Sequence, residues 1–181
     1  MKKVKLFTTI ASLCLAVALM AFGVYAATQA SFNVGGSISF SATDVTGSWT
    51  WKVEIDESST ATAAFAEGVT TSGDFDDFIK DGENDGPVDV TGINVKVTAA
   101  GTVVLKITVS FTNTSSKTGT LTATKVTAEN CTIADVAAVN WGAKDAANDT
   151  AEIVATVNYE CQADTDLTAT YNVKFEAKAN A

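Results

Sequence analysis

Apolar and polar residues alternate along most of the chain after Ser31, with the period of two that is typical of a half-buried β-strand. From Trp49 to Asp56, two tryptophans and two aliphatic residues alternate with four polar residues. The stretch Thr102–Thr112 alternates in the same way and predicts inward-facing Val103, Leu105, Ile107, Val109 and Phe111. Two further runs, Ile153–Cys161 and Leu167–Phe175, predict the closing strands.

In the stretches between these runs the alternation of apolar and polar residues is weaker. The stretch Ser31–Phe40 contains two adjacent glycines and predicts either one bulged strand or two short strands around a tight turn. Further strands are predicted at Val88–Val97, with a phase slip at Gly92, at the threonine-rich Lys117–Thr127 and at Cys131–Val139. We expect a hairpin turn at Ala99–Gly101 and a helix only in the alanine-rich stretch Ser59–Glu67.

About eight strands, each with one apolar and one polar face, predict an all-β fold. The expected architecture is an antiparallel β-sandwich of the jelly-roll or immunoglobulin-like type, in which two sheets pack face to face. Threonine suits strands whose outer faces are solvated. A single domain spanning residues 27–181 is long enough for one core.

The first 26 residues have the pattern of an export signal. Three lysines lie within Met1–Lys5, an apolar stretch follows, and Val24 and Ala26 place small residues at the −3 and −1 positions of a cleavage site. The sequence therefore predicts a protein that is secreted and acts extracellularly or at the cell surface. If the segment is retained, the same apolar stretch is long enough to anchor the chain in a membrane.

Charge excludes one class of partner. Without the three signal lysines, nine lysines oppose 21 acidic residues, which gives a net charge of −12 with no arginine and no histidine. Nucleic-acid recognition depends on clustered basic residues, so we expect no nucleic-acid partner. The acidic excess is typical of a secreted protein kept in solution by self-repulsion.

Cys131 and Cys161 are the only cysteines after the signal segment. In an oxidising compartment such a pair predicts one disulfide, and the alternative is two buried free thiols. Closing this loop would stabilise the fold by about 3 to 4 kcal/mol in the chain-entropy model. Neither state is catalytic, because no histidine is present to activate a thiol.

An acid-rich stretch between Gly73 and Asp89 contains a partial calcium-loop pattern. Its carboxylates occupy loop positions one, three, five and nine, with glycine at position six, and they are Asp81, Glu83, Asp85 and Asp89. Position twelve is Gly92, where a bidentate glutamate is expected. Calcium is therefore the one cofactor considered, and the competing interpretation is a solvated acidic loop.

Three tryptophans, Trp49, Trp51 and Trp141, have two interpretations. On an exposed face they would form a platform that stacks against sugar rings. On an inward face they belong to the core, and Val53 and Ile55 continue the stripe of Trp49 and Trp51, which favours the core. Catalytic residues are not predicted: the lack of histidine removes the common triads, and paired carboxylates are the only remaining acid–base option.

Three short stretches share their layout with a known family. The signal ends in Gly23-Val-Tyr-Ala26, a strand follows at Val34-Gly-Gly-Ser-Ile-Ser-Phe40, and a later strand ends in Phe111-Thr-Asn-Thr-Ser115. This layout resembles the TasA/camelysin family, secreted matrix proteins of Gram-positive bacteria that form biofilm fibres. The resemblance implies a jelly-roll domain whose freed N-terminal segment adds as a strand to the next subunit.

The first functional hypothesis is a non-enzymatic structural protein of a cell surface or extracellular matrix. It would self-associate into oligomers or fibres by strand addition through Phe32, Val34, Ile38 and Phe40. Cell-wall or matrix polymers are the further partners of this hypothesis. The same strand can instead pair within its own chain. The alternative function is an extracellular binding module for a glycan or for calcium.

Overall fold

The computed structural model describes residues 32–75, 79–80, 83–84, 88–161 and 168–180. The predicted export signal lies outside these residues. Within them the chain forms fourteen strands and no helix: β1 (Phe32–Thr43), β2 (Gly47–Ile55), β3 (Ala63–Phe65), β4 (Ser72–Phe75), β5 (Ile79–Lys80), β6 (Glu83–Asn84), β7 (Val88–Thr91), β8 (Val95–Val97), β9 (Gly101–Asn113), β10 (Gly119–Glu129), β11 (Thr132–Ile133), β12 (Val139–Trp141), β13 (Thr150–Cys161) and β14 (Ala169–Ala179).

Twelve of these strands form two sheets that face each other. Sheet A has the order β12-β10-β14-β1-β8-β3, with β7 also paired to β1, and sheet B has the order β11-β13-β9-β2-β4. The remaining two strands, β5 and β6, pair only with each other. This arrangement confirms the predicted β-sandwich. One pair departs from the antiparallel pattern, because β1 and β14 run parallel.

The alternation along each long strand determines which side chains are buried. In β9 the residues from Val103 to Phe111 that were predicted to face inward are all fully buried. Buried side chains from both sheets form one continuous cluster, with an aromatic centre at Phe40, Trp49, Phe111, Trp141 and Phe175. The core therefore lies between the sheets, as the period of two requires.

Two local predictions are wrong. The expected helix at Ser59–Glu67 is a turn followed by β3, because its backbone bonds to the neighbouring strand: the N–H groups of Thr60 and Ala61 both donate to the carbonyl of Thr102. The expected hairpin at Ala99–Gly101 is a crossing between the sheets, since β8 belongs to sheet A and β9 to sheet B. In both places tertiary contacts override the local preference.

Gly92 is the predicted point of phase slip, and the structure confirms its role. It separates β7 from β8 with a φ of +77°, a conformation that residues with a side chain rarely adopt. The stretch Ser31–Phe40, by contrast, contains no break within its described residues: Phe32–Thr43 is one continuous strand. The described part of the chain has no apolar helix of membrane-spanning length.

Candidate assembly interface

The predicted assembly strand lies in the middle of sheet A. β1 pairs in parallel with β14 over ten positions, from Val34 opposite Ala169 to Thr43 opposite Lys178. Its other side pairs with β7 and β8. Val34, Ile38 and Phe40 are fully buried. In the single chain this strand thus completes its own sheet, which is the intramolecular pairing left open by the sequence.

Phe40 anchors β1 in the aromatic centre of the core. Its ring lies 5.4 Å from Trp49, 5.4 Å from Phe75 and 5.9 Å from Phe175, measured between ring centroids. Earlier in the strand, Gly36 lies opposite Tyr171, and the phenol ring occupies the space that a Cβ at position 36 would need. These contacts attach β1 both to the next strand, through Trp49, and to Tyr171 and Phe175, which are more than 130 positions away in the sequence.

The link between β1 and β2 is short. Asp44, Val45 and Thr46 connect a strand of sheet A to a strand of sheet B, and Asp44 has a φ of +57°. Val45 is buried, and the carbonyl of Thr46 accepts a hydrogen bond from Thr114 N–H. A positive φ at a residue other than glycine stores strain in this link.

The outer edge of β10 is the longest stretch of unpaired strand in the described part of sheet A. β12 covers only Gly119–Leu121, so no described strand pairs with the outer side of Thr122–Glu129. An edge of this kind is a template for strand addition. It is therefore the first place to look for a docking site on a neighbouring subunit.

Two features of this edge act against strand addition. A β-bulge lies between Lys125 and Thr127, and the extra residue, Val126, is 55% exposed. Lys125 is exposed, lies opposite the buried Val173 in the ladder and places a charge on this edge strand. Bulges and lysines on edge strands are known devices that prevent edge-to-edge pairing. The β10 edge is thus protected.

Straightening this edge is expected to cause association. A variant that lacks Val126 and carries Lys125→Thr would restore a regular ladder opposite β14 and remove the charge. We expect its mean particle mass in light scattering to rise several-fold at high protein concentration. The control is Thr124→Ala, which changes an exposed residue of the same strand. A straightened variant that stays as monomeric as the control would contradict the protective role.

A groove with a volume of about 440 Å³ lies beside the protected edge. Its apolar surface comes from Ala123, Ile133, Val136, Ala155 and Val173, and Lys125 and Asp135 are its charged residues. The segment from Cys131 to Val136 forms one wall as it passes from the end of β10 to β11, which pairs with β13 of sheet B. We call this stretch the crossing segment. It lies next to the unpaired edge of sheet A.

The three tryptophans contradict the glycan platform. Trp49, Trp51 and Trp141 are 0%, 5% and 2% exposed. Trp49 and Trp141 both pack against Phe111, at centroid distances of 4.9 Å and 5.5 Å. Their ring faces are covered by other core side chains, so none is open to stack against a sugar. The physical reason is the one already visible in the stripe of Trp49, Trp51, Val53 and Ile55: all four lie on the inner face.

Two of the four predicted calcium ligands fall outside the described residues. Asp81 and Asp85 lie in the undescribed positions, Glu83 is part of β6, and Asp89 is exposed on β7. Within the described ranges no group of three acidic, cysteine or histidine side chains could hold a metal ion. The two described ion pairs, Lys52–Glu54 and Lys174–Glu176, are exposed on the outer faces of the sheets.

Cys131 and Cys161 are both free in the structure, so the disulfide stays a prediction. Cys161 is buried at the end of β13, and Cys131 is half-buried at the start of the crossing segment. The Cys131 thiol donates a hydrogen bond to the carbonyl of Thr170, at 3.3 Å. Burial raises the pKa of both thiols.

Asn113 is a site residue that the sequence pattern missed. Its side chain is 1% exposed, and its amide group donates to the carbonyls of Ser115, Lys117 and Gly142 at 2.8 to 3.0 Å. Its carbonyl oxygen accepts from the N–H and the hydroxyl of Ser115. A signal was present: position 113 continues the inward alternation of Val109 and Phe111, so a polar residue there predicts a buried hydrogen-bond centre.

Comparisons with known proteins give a weak likeness to major pilins. No protein-family model and no curated protein matches the chain. Among similar solved structures is a single-residue mutant of the major pilin from Streptococcus pyogenes, with 12% identity and a TM-score of 0.22, covering 82% of this chain and 48% of the pilin. The T3.2 major pilin of serotype GAS13637 has 6% identity and a TM-score of 0.22, with coverages of 83% and 46%. The chain thus spans about half the length of the pilins it matches, and a likeness at this TM-score carries no argument about function.

Proposed function

We propose that the chain is a secreted, non-enzymatic structural protein of a cell surface or extracellular matrix. Copies of it assemble into fibres by exchanging strand β1. The observation that carries this proposal is the position of β1: the first strand of the fold lies between β14 and β8 in the middle of sheet A. The resemblance of the sequence to the TasA/camelysin family points to the same class of protein.

Strand exchange preserves the contacts of the single chain. β1 precedes the other described strands in the sequence, and its partners β7, β8 and β14 are all distant from it in the sequence. A second copy can supply the same strand to the same slot with the same register, so the pairing and packing of β1 itself are kept. The buried Val34, Ile38 and Phe40 would fill the same positions in either case.

The link at Asp44–Thr46 favours exchange over closure. Only three residues turn the chain from sheet A to sheet B, and Asp44 adopts a left-handed conformation to do so. When β1 belongs to another copy, this link extends and the strain is released. Short strained links are a recognised cause of domain swapping. Exchange into the β1 slot also requires no pairing at the protected edge of β10.

A cross-linking experiment tests the exchange. Ser39 of β1 is opposite Lys174 of β14 on the outer face of sheet A. In a background of Cys131→Ala and Cys161→Ala, Ser39→Cys and Lys174→Cys are introduced together into one chain. If β1 is exchanged, oxidising the fibres joins neighbouring copies, and a ladder of covalent oligomers results in denaturing gels without reductant. Unassembled protein gives monomers only.

A matched pair in sheet B provides the control. Ser48 of β2 is opposite Thr112 of β9, and this pair stays within one chain whether or not β1 moves. The Ser48→Cys and Thr112→Cys variant should therefore form fibres without a covalent ladder. Fibres of the Ser39 and Lys174 variant that contain only cross-linked monomers would refute strand exchange. If microscopy finds no fibres of the secreted protein at any concentration, the assembly function itself is refuted.

A further inference from the structure

Two thiols lie near Tyr159 at one end of the core. The register of β11 with β13 pairs Thr132 with Asn158, and continuing this register by one residue puts Cys131, just before β11, at the level of Tyr159. Cys161 follows two residues later on the same inward face of β13. The two cysteines are therefore diagonal neighbours across the ladder, with the Tyr159 side chain next to both.

The surroundings of Tyr159 agree with this placement. Burial raises the pKa of Tyr159, and the nearby Cys161, Tyr171 and Cys131 raise that pKa further. Within the described residues, the hydroxyls of Tyr159 and Tyr171 are buried without a hydrogen-bond partner. This end of the core therefore combines two thiols with two hydroxyls whose hydrogen bonds are not satisfied by the described part of the chain.

The crossing segment is held by few interactions. It shares two ladder positions with β13, and the Ala134 N–H donates to the carbonyl of Thr156 at 3.3 Å. Two side-chain bonds add to these: the Cys131 thiol donates to the carbonyl of Thr170 at 3.3 Å, and the Thr132 hydroxyl donates to the carbonyl of Asn158 at 3.5 Å. The preceding Asn130 side chain donates to the carbonyl of Thr168 at 3.0 Å. Diagonal neighbours lie about 7 to 8 Å apart between Cα atoms. A disulfide needs about 4.4 to 6.8 Å, so a small shift of this segment is required for bond formation.

We propose that Cys131 and Cys161 form a redox clasp: oxidation joins them, draws the crossing segment onto the end of β13 and fixes the wall of the groove beside the β10 edge. In the reduced state the crossing segment separates from the end of β13 more often. The clasp goes beyond fibre assembly and does not depend on it. Its consequence is local, at the unpaired edge of sheet A.

The chemistry is thiol–disulfide exchange with a small extracellular disulfide such as oxidised glutathione. The Cys131 thiolate, the more accessible of the two, attacks that disulfide, forms a mixed disulfide and releases one glutathione thiolate. The Cys161 thiolate then attacks the Cys131 sulfur, which forms the internal bond and releases the second glutathione. The protein loses two hydrogen atoms, and one disulfide is reduced to two thiols.

The test uses the protein purified from the medium of cells that secrete it, equilibrated with oxidised glutathione. Mass spectrometry should find a monomer that is lighter than the reduced chain by two hydrogen atoms, and a linked peptide that contains Cys131 and Cys161. Cleavage after Lys125 by a lysine-specific protease reports opening at the β10 edge. We expect this cleavage to be about 10-fold slower in the oxidised protein, because local opening is suppressed. The rate of cleavage after Lys52, an exposed residue of β2 in sheet B, should be the same in the oxidised and reduced proteins.

Cys161→Ser is the matched variant, since it removes the bond and keeps a side chain of similar size. Its cleavage after Lys125 should be the same with and without glutathione. Free thiols at both positions after equilibration would overturn the proposal, as would dimers linked through Cys131. A disulfide that leaves cleavage after Lys125 unchanged would overturn the clasp, because the bond would then not control the crossing segment.

Discussion

Replacing Phe40 by alanine is expected to lower the free energy of unfolding by about 3 to 5 kcal/mol, as for other buried phenylalanines. The Phe40 ring is fully buried and packs against Trp49, Phe75 and Phe175. Its removal leaves a cavity where the two sheets meet, and the surrounding aromatic rings are too rigid to fill it. Urea unfolding followed by tryptophan fluorescence measures the loss, because Trp49 borders this cavity.

Ser39→Ala is the control for Phe40→Ala, since it changes the neighbouring residue on the outer face of the same strand. Its effect should stay within about 0.5 kcal/mol. If Phe40→Ala costs less than about 1 kcal/mol, β1 is not packed as the structure has it. Under the proposed exchange, Phe40→Ala should also weaken the fibres, because the Phe40 ring of one copy packs in the core of the neighbouring copy.

Replacing Asn113 by alanine is expected to cost about 3 kcal/mol or more, because buried and half-buried polar groups lose hydrogen-bond partners. The carbonyls of Ser115, Lys117 and Gly142 would each lose one donor, although the Ser115 carbonyl keeps the N–H of Lys144, and the Ser115 N–H would lose its acceptor. These groups hold the end of β9, the turn before β10 and the loop after β12 together. The loss should appear as a lower midpoint in urea unfolding with an unchanged slope.

Asn140→Ala is the matched control, since Asn140 is exposed on β12, next to the same loop. We expect no more than about 0.5 kcal/mol from this change. Asn113→Asp separates hydrogen bonding from size: it keeps the acceptor and the volume but removes the donors. Nearly full stability in Asn113→Asp would show that the donated bonds to Ser115, Lys117 and Gly142 do not matter.

Much of the fold could be predicted because burial along a strand is a local property. The alternation at Trp49–Ile55 and Thr102–Thr112 identified inward residues that the structure buries. It also favoured the core over the sugar platform for the tryptophans. Where the prediction failed, at Ser59–Glu67 and at Ala99–Gly101, hydrogen bonds to a distant strand or a change of sheet decided the conformation. Such contacts leave no periodic signal in the sequence.

The candidate site was predicted less completely. Phe32–Phe40 was identified as a strand suited to assembly, but its slot between β14 and β8 was not. The protected edge at Lys125–Thr127 was read only as part of a threonine-rich strand, because a bulge is recognised by the register of two strands and not by one of them. Likewise, the spacing of Cys131 and Cys161 in the sequence does not tell that the crossing segment, which begins at Cys131, lies beside β13, which ends at Cys161.

The sequence by itself determined the sandwich, the inner faces of the regularly alternating strands β2, β9, β13 and β14, and the absence of histidine-based chemistry, since each of these depends on residue type or on the backbone period of two. Only the tertiary structure decided which strands are neighbours: that β1 runs parallel to β14, that the edge of β10 is unpaired, and that the crossing segment brings Cys131 to the Tyr159 side of β13. Strand neighbours depend on the combined packing of residues more than one hundred positions apart, and no local pattern records that sum.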